Sequence, residues 1–199
     1  MDELVINVVG EDIYFKLGII SLVQNQWGAN SKPICISEDN TLCFHLSFDF
    51  NEDIAVINTS FYTSHDIKVC STRQRTGNIY TPFNCRRYSL AQIEKKLVKI
   101  LEIVKCKRLT DSKLDSLIIN NDIRRYQQLS QSEFLIMTFI GQGLDCYLIS
   151  KKMNRSIKTI RTHYRSASRK LGFDNQADFF RFAKYISKNN QGVINTLCL

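Results

Sequence analysis

The sequence predicts an α/β N-terminal domain with a mostly parallel sheet, followed by an all-α domain of four helices. Three observations lead there. Short runs rich in β-branched and aromatic residues alternate with polar joints in the first third of the chain, which is the pattern of strands. The last third has a helical apolar period throughout and sharp capping signals. The basic charge is also confined: residues 1–128 hold 16 Lys/Arg against 15 Asp/Glu, whereas residues 129–199 hold 11 against 4. The expected organisation is a first domain over 1–106, a linker over 107–128 and a second domain over 129–199.

The predicted strands are "ELVINVVG", "KPICIS", "TLCFHLSF" and "DIAVINTSF". Between the first two, Ile13, Leu17, Ile20 and Trp27 fit the inner face of a helix that closes at Gly28. A second helix is marked by Ser89 and Gln92, a capping box ahead of Ile93, Leu97, Ile100, Leu101 and Val104. Residues 107–128, "KRLTDSKLDSLIINNDIRRYQQ", lose this periodicity and gain Asp, Asn, Ser and Arg, as a linker does.

In the last domain Ser130 and Glu133 form another capping box, and the helix through Ile136, Met137 and Ile140 stops at the "GQG" of residues 141–143. A short helix follows to Met153. Asn154 tolerates the left-handed conformation of a tight turn, and Ser156 can cap a helix that runs to Leu171 and closes at Gly172. A fourth helix begins after Asp174 and carries Phe179, Phe180 and Phe182, which cannot all face one small core. Two short helices joined by a tight turn, the second strongly basic, describe a helix-turn-helix.

The third of these helices decides between two uses of its charge. A solvated basic face would carry interspersed carboxylates, and none occurs between Asp145 and Asp174. A surface made for a polyanion needs none. Its Ile157, Ile160, Tyr164, Ala167 and Leu171 recur at helical spacing; Ile157, Ile160, Tyr164 and Leu171 are expected to face inward, with positions 161, 162 and 165 sharing one outer flank.

Composition excludes several alternatives. With 44% hydrophobic residues, 11% aromatics and two prolines the chain is globular. No stretch reaches the roughly 18 apolar residues of a membrane span, and the N-terminus lacks a basic lead-in and an apolar run, so a cytoplasmic protein is expected. The seven cysteines form no CxxC pair and no zinc quartet, and Cys43 with His45 supplies only two ligands. His45, His65 and His163 are scattered, with no nucleophile elbow and no phosphate-cradling glycine loop, so neither catalysis, a metal nor a cofactor is expected.

"LSQSEFLIMTFIGQGLDCYLISKKMNRSIKTIRTHYRSASRKLGF", residues 129–173, resembles without a gap the DNA-binding domain of LuxR-type (NarL/FixJ) regulators. The opening Leu-Ser and Glu133, the "QGL" at 142–144, Ile149, the "SIKTI" at 156–160, His163 and the "RKLG" at 169–172 carry the match. The resemblance implies that Arg161, Thr162 and Arg165 reach base edges, that Lys158 and Thr159 contact the DNA backbone, and that Arg169 and Lys170 add phosphate contacts. Phosphate contacts position such a domain, while base contacts read sequence. Departures are Arg155, Ala167 and Ser168, where the family is apolar or larger, and Phe134 and Leu135, where it is commonly polar.

The first domain resembles a degenerate receiver. "VINVVGEDIYFKLGI" parallels a receiver's first strand and helix, with Lys16 and Gly18 at the usual positions, but Gly10 and Glu11, with Asp12 beyond, stand where two adjacent acids would hold a cation. "DIAVINTSF" parallels the acceptor strand, which places Asn58 at the phosphoacceptor position, and an amide does not accept a phosphoryl group as a carboxylate does. Arg86 and Arg87 are the nearest basic residues to a phosphate-sensing position. Two helices, two strands and four loops would need about 50 residues. Only 30 lie between Asn58 and Ser89, so the receiver is truncated.

The resemblances together imply a bacterial transcription regulator that binds double-stranded promoter DNA sequence-specifically, independently of aspartyl phosphorylation. They imply dimers, with the last helix as the pairing element, and leave RNA polymerase open as a further partner. The alternative is an auxiliary subunit that pairs with a complete LuxR-type regulator and alters its promoter choice.

Overall fold

The computed structural model describes residues 4–27, 34–37 (backbone alone), 44–58, 78–105, 127–189 and 195–199. Two compact units result, one of residues 1–79, 83–125 and 199 and the other of residues 80–82 and 126–198. The predicted linker at 107–128 and the truncated segment between Asn58 and Ser89 lie largely outside the described residues.

Ahead of the helical domain the elements are β1 (Leu4–Val9), α1 (Ile13–Trp27), β2 (Ile34–Ser37), β3 (Leu46–Asp49), β4 (Ile54–Asn58), β5 (Asn78–Pro82) and α2 (Leu90–Lys105), all in the first unit except residues 80–82 of β5. The sheet order is β2-β1-β3-β4-β5. β1 runs parallel to β2 and to β3, as expected, with Ile6 opposite Leu46 and Val9 opposite Asp49. β3 and β4 are antiparallel, which the sequence reading did not anticipate. The reason is local: only four residues separate β3 from β4, and a parallel return needs a crossover of a dozen or more. The turn is built by Asp49, whose Oδ1 accepts from the N–H groups of Asn51 and Glu52 at 2.9 and 3.1 Å, and by Asp53 at φ 55°.

α2 follows its prediction closely. Ser89 and Gln92 exchange the two capping bonds, and Ile93, Leu97, Ile100, Leu101 and Val104 are buried. α1 has the predicted span, but of the four apolar residues that marked it only Trp27 is buried. Ile19, Val23 and Trp27 are its buried residues, while Ile13 and Leu17 are 62% and 59% exposed. Apolar residues occur all round this helix, so its periodicity alone does not select the inner face.

The second unit contains four helices, α3 (Gln131–Gly141), α4 (Cys146–Met153), α5 (Ile157–Leu171) and α6 (Gln176–Asn189). Phe134, Ile136, Met137, Ile149, Ile160, Leu171, Phe179, Phe182 and Ile186 form its core, closed by Phe173 and by the edge of Tyr164 set against Phe179 at 4.9 Å. α3 and α6 cross so closely at Gly141 that a Cβ there would lie 2.0 Å from the Ala183 carbonyl oxygen. The two small residues by which α5 departs from the family pattern are in use, since Ala167 is fully buried and the Ser168 hydroxyl donates to the Phe173 carbonyl at 3.0 Å. Ile157, expected inside, is 37% exposed. Among the described residues no helix is long and apolar enough to cross a membrane.

Candidate nucleic-acid interface

The hairpin of α4 and α5 is fixed by its caps. Asp145 accepts from the Leu148 N–H at 2.8 Å and opens α4. Asn154 ends it in the left-handed conformation (φ 49°, ψ 51°), and the Arg155 N–H returns to the Ser150 carbonyl at 3.0 Å. Two residues later Ser156 accepts from the Thr159 N–H at 3.1 Å and opens α5. Ile149 of α4 and Ile160 of α5 meet Ile136 of α3 in one buried cluster, flanked by Met153 and Tyr164. Those contacts turn the opposite side of α5 outward.

That side carries the predicted cations. Lys158, Arg161, Thr162, Arg165 and Arg169 are exposed. Among the described residues none of the four cationic side chains is tied to a carboxylate, and three of the domain's four acids are engaged elsewhere. Asp145 caps α4, Asp178 pairs with Arg181 at 2.6 Å, and Glu133 pairs with Lys170. An uncompensated row of long donors on one helix is the arrangement that attracts and grips phosphate, and guanidinium groups can grip guanine edges bidentately.

Two predicted contacts are placed differently. Thr159 is half-buried, and its hydroxyl lies 2.8 Å from that of Ser156, so it completes the cap of α5. Lys170 does not point outward as a phosphate ligand. Its ammonium donates to Glu133 Oε2 at 2.7 Å and to the Gln128 carbonyl at 2.9 Å, and its side chain is 21% exposed against 5% for Glu133. Burial alone would raise the Glu133 carboxyl, but bonds from Lys170, Ser166 and Ser130 outweigh it and hold that group down at about 2. Gln128 continues the network by exchanging two 2.9 Å bonds with the backbone of Cys198.

Two basic residues join the surface that residue-by-residue matching left out. Lys151 and Lys152, in the last turn of α4, are exposed, with their ammonium groups over the rings of Tyr147 and Phe139 at 5.5 and 4.4 Å. The local charge density was their only sequence signal. On α6, Phe179 and Phe182 are buried and Phe180 is 43% exposed, which leaves Phe180 as the aromatic available to a partner.

In the first unit the receiver-like residues do not assemble as the resemblance implies. The Asn58 N–H donates to the His45 carbonyl, and the His45 N–H donates to that of Val5, so Asn58 is level with Val5. Gly10 lies five residues further along β1, about 16 Å away at roughly 3.3 Å per residue. Asn58 therefore cannot share a cation with Glu11 or Asp12, and its assignment as the acceptor position is corrected. The carboxylate that parallel pairing does bring to that end is Asp49, opposite Val9. Beside it, Gly10 at φ 141° admits Phe50, whose Cβ would lie 2.9 Å from any Cβ at position 10. Phe50 also stacks on Phe15 at 4.7 Å, and the Arg86 guanidinium lies 4.2 Å from its ring centre. Among the described residues no three His, Cys, Asp or Glu side chains are grouped to hold a metal ion.

Comparison with known proteins finds one family model, described as bacterial regulatory proteins, luxR family, which matches residues 127–183. No curated protein matches the chain. Similar solved structures include two RcsB dimers bound to two parallel DNAs (15% identity, 92% of this chain and 99% of that one, TM-score 0.35) and a complex of the two-component response regulator RcsB with DNA (16%, 92% and 99%, TM-score 0.36). A Salmonella typhimurium RcsB structure has 15% identity over 93% of this chain and 99% of its own, with TM-score 0.28.

Proposed function

From a chain whose residues 127–183 form a helix-turn-helix domain of the luxR family of bacterial regulatory proteins, we propose a cytoplasmic transcription regulator that binds promoter DNA sequence-specifically through α5. The observation that carries this reading is the exposed face of Lys158, Arg161, Arg165 and Arg169, which is free of carboxylates while Asp145, Glu133 and Asp178 are committed to a cap and to ion pairs. Arg161, Thr162 and Arg165 take the base edges, and Lys158 and Arg169 take phosphates. Phe180 supplies an apolar contact for dimerisation, which would set two reading helices about one helical turn of DNA apart. RNA polymerase is a further partner of such a regulator.

Control is exerted through abundance or partner binding and not through aspartyl phosphorylation. Supporting this are Gly10, which stands where an acid would complete a cation site, and the engagement of Asp49 Oδ1 in the β3–β4 turn. The test of DNA reading is a gel shift with the double variant Arg161→Ala, Arg165→Ala. Sequence-specific binding should be lost while the thermal unfolding midpoint stays in place, and unchanged binding would sink the assignment.

A second reading, pairing with a complete LuxR-type regulator to alter its promoter choice, is favoured by one observation. The solvent face of α1 carries Ile13, Tyr14, Leu17 and Gly18 with no charged side chain among them, and Tyr14 is 84% exposed. Co-purification from the native host decides: a stoichiometric family partner favours the auxiliary role, and a DNA-competent homodimer the first reading.

A further inference from the structure

Arg161, Thr162 and Arg165 share one exposed flank of α5, but their chemistry differs. The two arginines hold their donors free, among the described residues, for acceptors in the groove. Thr162 does not, because its hydroxyl donates to the Lys158 carbonyl one turn back at 3.0 Å. A threonine in a helix chooses between rotamers according to whether its Oγ1 takes that bond. With its one proton given to the helix backbone, the Thr162 hydroxyl has no donor left for the acceptors that dominate a base edge, and the methyl group is the side chain's apolar feature.

A methyl group reads the major groove in one way only. Base edges there are patterns of donors and acceptors, with the C5-methyl of thymine as the apolar feature. A free hydroxyl, able to donate or accept, would be tolerant of several bases. A methyl gains from burial against another methyl and leaves a polar edge unsatisfied, so it discriminates.

We propose, resting on the DNA-binding reading above, that Thr162 recognises a thymine through methyl-to-methyl contact, so that each half-site carries one thymine sensed by its C5-methyl group beside the base pairs held by Arg161 and Arg165. The hydroxyl of Thr162 is then dispensable for recognition and its methyl is not. Arg161 and Arg165 flank it on the same face, so the sensed thymine lies within the segment of groove that they contact.

The full chain is used to select its preferred duplex from random DNA, and copies of that duplex are made with each thymine replaced singly by deoxyuridine, which loses only the methyl. Wild type and Thr162→Val should both weaken at the same single position of each half-site, by about four- to fifteen-fold for one or two methyl groups left in water. Thr162→Ser should bind the thymine duplex more weakly by a similar factor and be indifferent to the deoxyuridine. The proposal is overturned if wild type is insensitive at every thymine, or if Ser retains the sensitivity and Val loses it. Selection of no sequence at all would defeat the DNA-binding reading and this inference with it, whereas a selected site without a methyl effect defeats this inference alone.

Discussion

Replacing Lys170 by Met keeps an apolar stem of similar length and removes the ammonium that holds Glu133. The cost can be worked from the site. Deleting one partner of a buried pair leaves an uncompensated charge, for about 3–5 kcal/mol. Lys170 is partly exposed and Glu133 keeps the 2.7 Å bond from the Ser130 N–H, so the lower end applies. The carboxyl points the same way, because bonds from Lys170, Ser166 and Ser130 outweigh burial and hold it at about 2, below its ordinary 4.5. Discounted for the exposure of Lys170, a loss of about 2 kcal/mol follows, or roughly 8–16 °C in the midpoint of a domain of this size. Since Glu133 titrates lower in the folded state than in the unfolded one, its contribution is complete above pH 4.5 and disappears as the pH falls towards 2. The gap between wild type and Lys170→Met should close over that interval. Calorimetry of the full chain measures both. At 10 °C, where the variant is folded, DNA affinity and its salt slope should be unchanged, whereas Arg169→Ala should lower the slope magnitude by about 0.9 without shifting the midpoint. If Lys170→Met melts like wild type and loses the salt-dependent increment instead, Lys170 is a phosphate ligand and the ion-pair reasoning is wrong.

Three further outcomes are expected. Gly141→Ala should drive α3 and α6 apart, because the new methyl would sit 2.0 Å from the Ala183 carbonyl, and should cost about 3 kcal/mol or more by urea unfolding. Phe180→Ala should convert dimer to monomer in sedimentation equilibrium while moving the melting midpoint by less than about 3 °C, since the ring is half-exposed and outside the core. Asp49→Asn should leave promoter DNA binding unchanged in the presence of a small phosphoryl donor, and wild type should show no phosphoryl mass increment under the same treatment; a labelled Asp49 would restore phosphorylation as the control.

What was legible in the sequence was whatever is decided within a few residues. The boxes at Ser89/Gln92 and Ser130/Glu133 and the Ser156 cap depend on side chains bonding to backbone three residues away, the left-handed Asn154 depends on its own backbone torsions, and each forms as read. The direction of β4 was not legible by the same means. "DFNED" is plainly a joint, but whether it returns the chain beside β3 depends on its length and on Asp53 adopting φ 55°. The reversed direction of β4 also decides the place of Asn58, which comes level with Val5 at the far end of the sheet from Gly10. The face of α1 was lost for another reason. Ile13, Leu17, Ile19, Ile20 and Val23 support more than one apolar stripe, and packing onto the sheet decides among them.

Lys170 shows where a basic run misleads most. Along α5 it is one cation among several, and only a carboxylate 37 residues away distinguishes it. The choice of residue types is consistent with the division of labour. A lysine's compact ammonium satisfies two acceptors in a confined space, Glu133 and the Gln128 carbonyl, whereas a planar guanidinium suits two-point recognition of a base edge. The position of the pair also matters. Glu133 caps α3 and, through Lys170, holds the last turn of α5, while the Ile136, Ile149 and Ile160 cluster and the Asn154 to Ser156 turn hold its beginning. Arg161, Thr162 and Arg165 therefore lie between two fixed points. Base readout needs that rigidity, because a shift of even about 1 Å in the helix would break bidentate geometry. On this account the buried ion pair serves recognition indirectly, by keeping the domain folded and its reading face still.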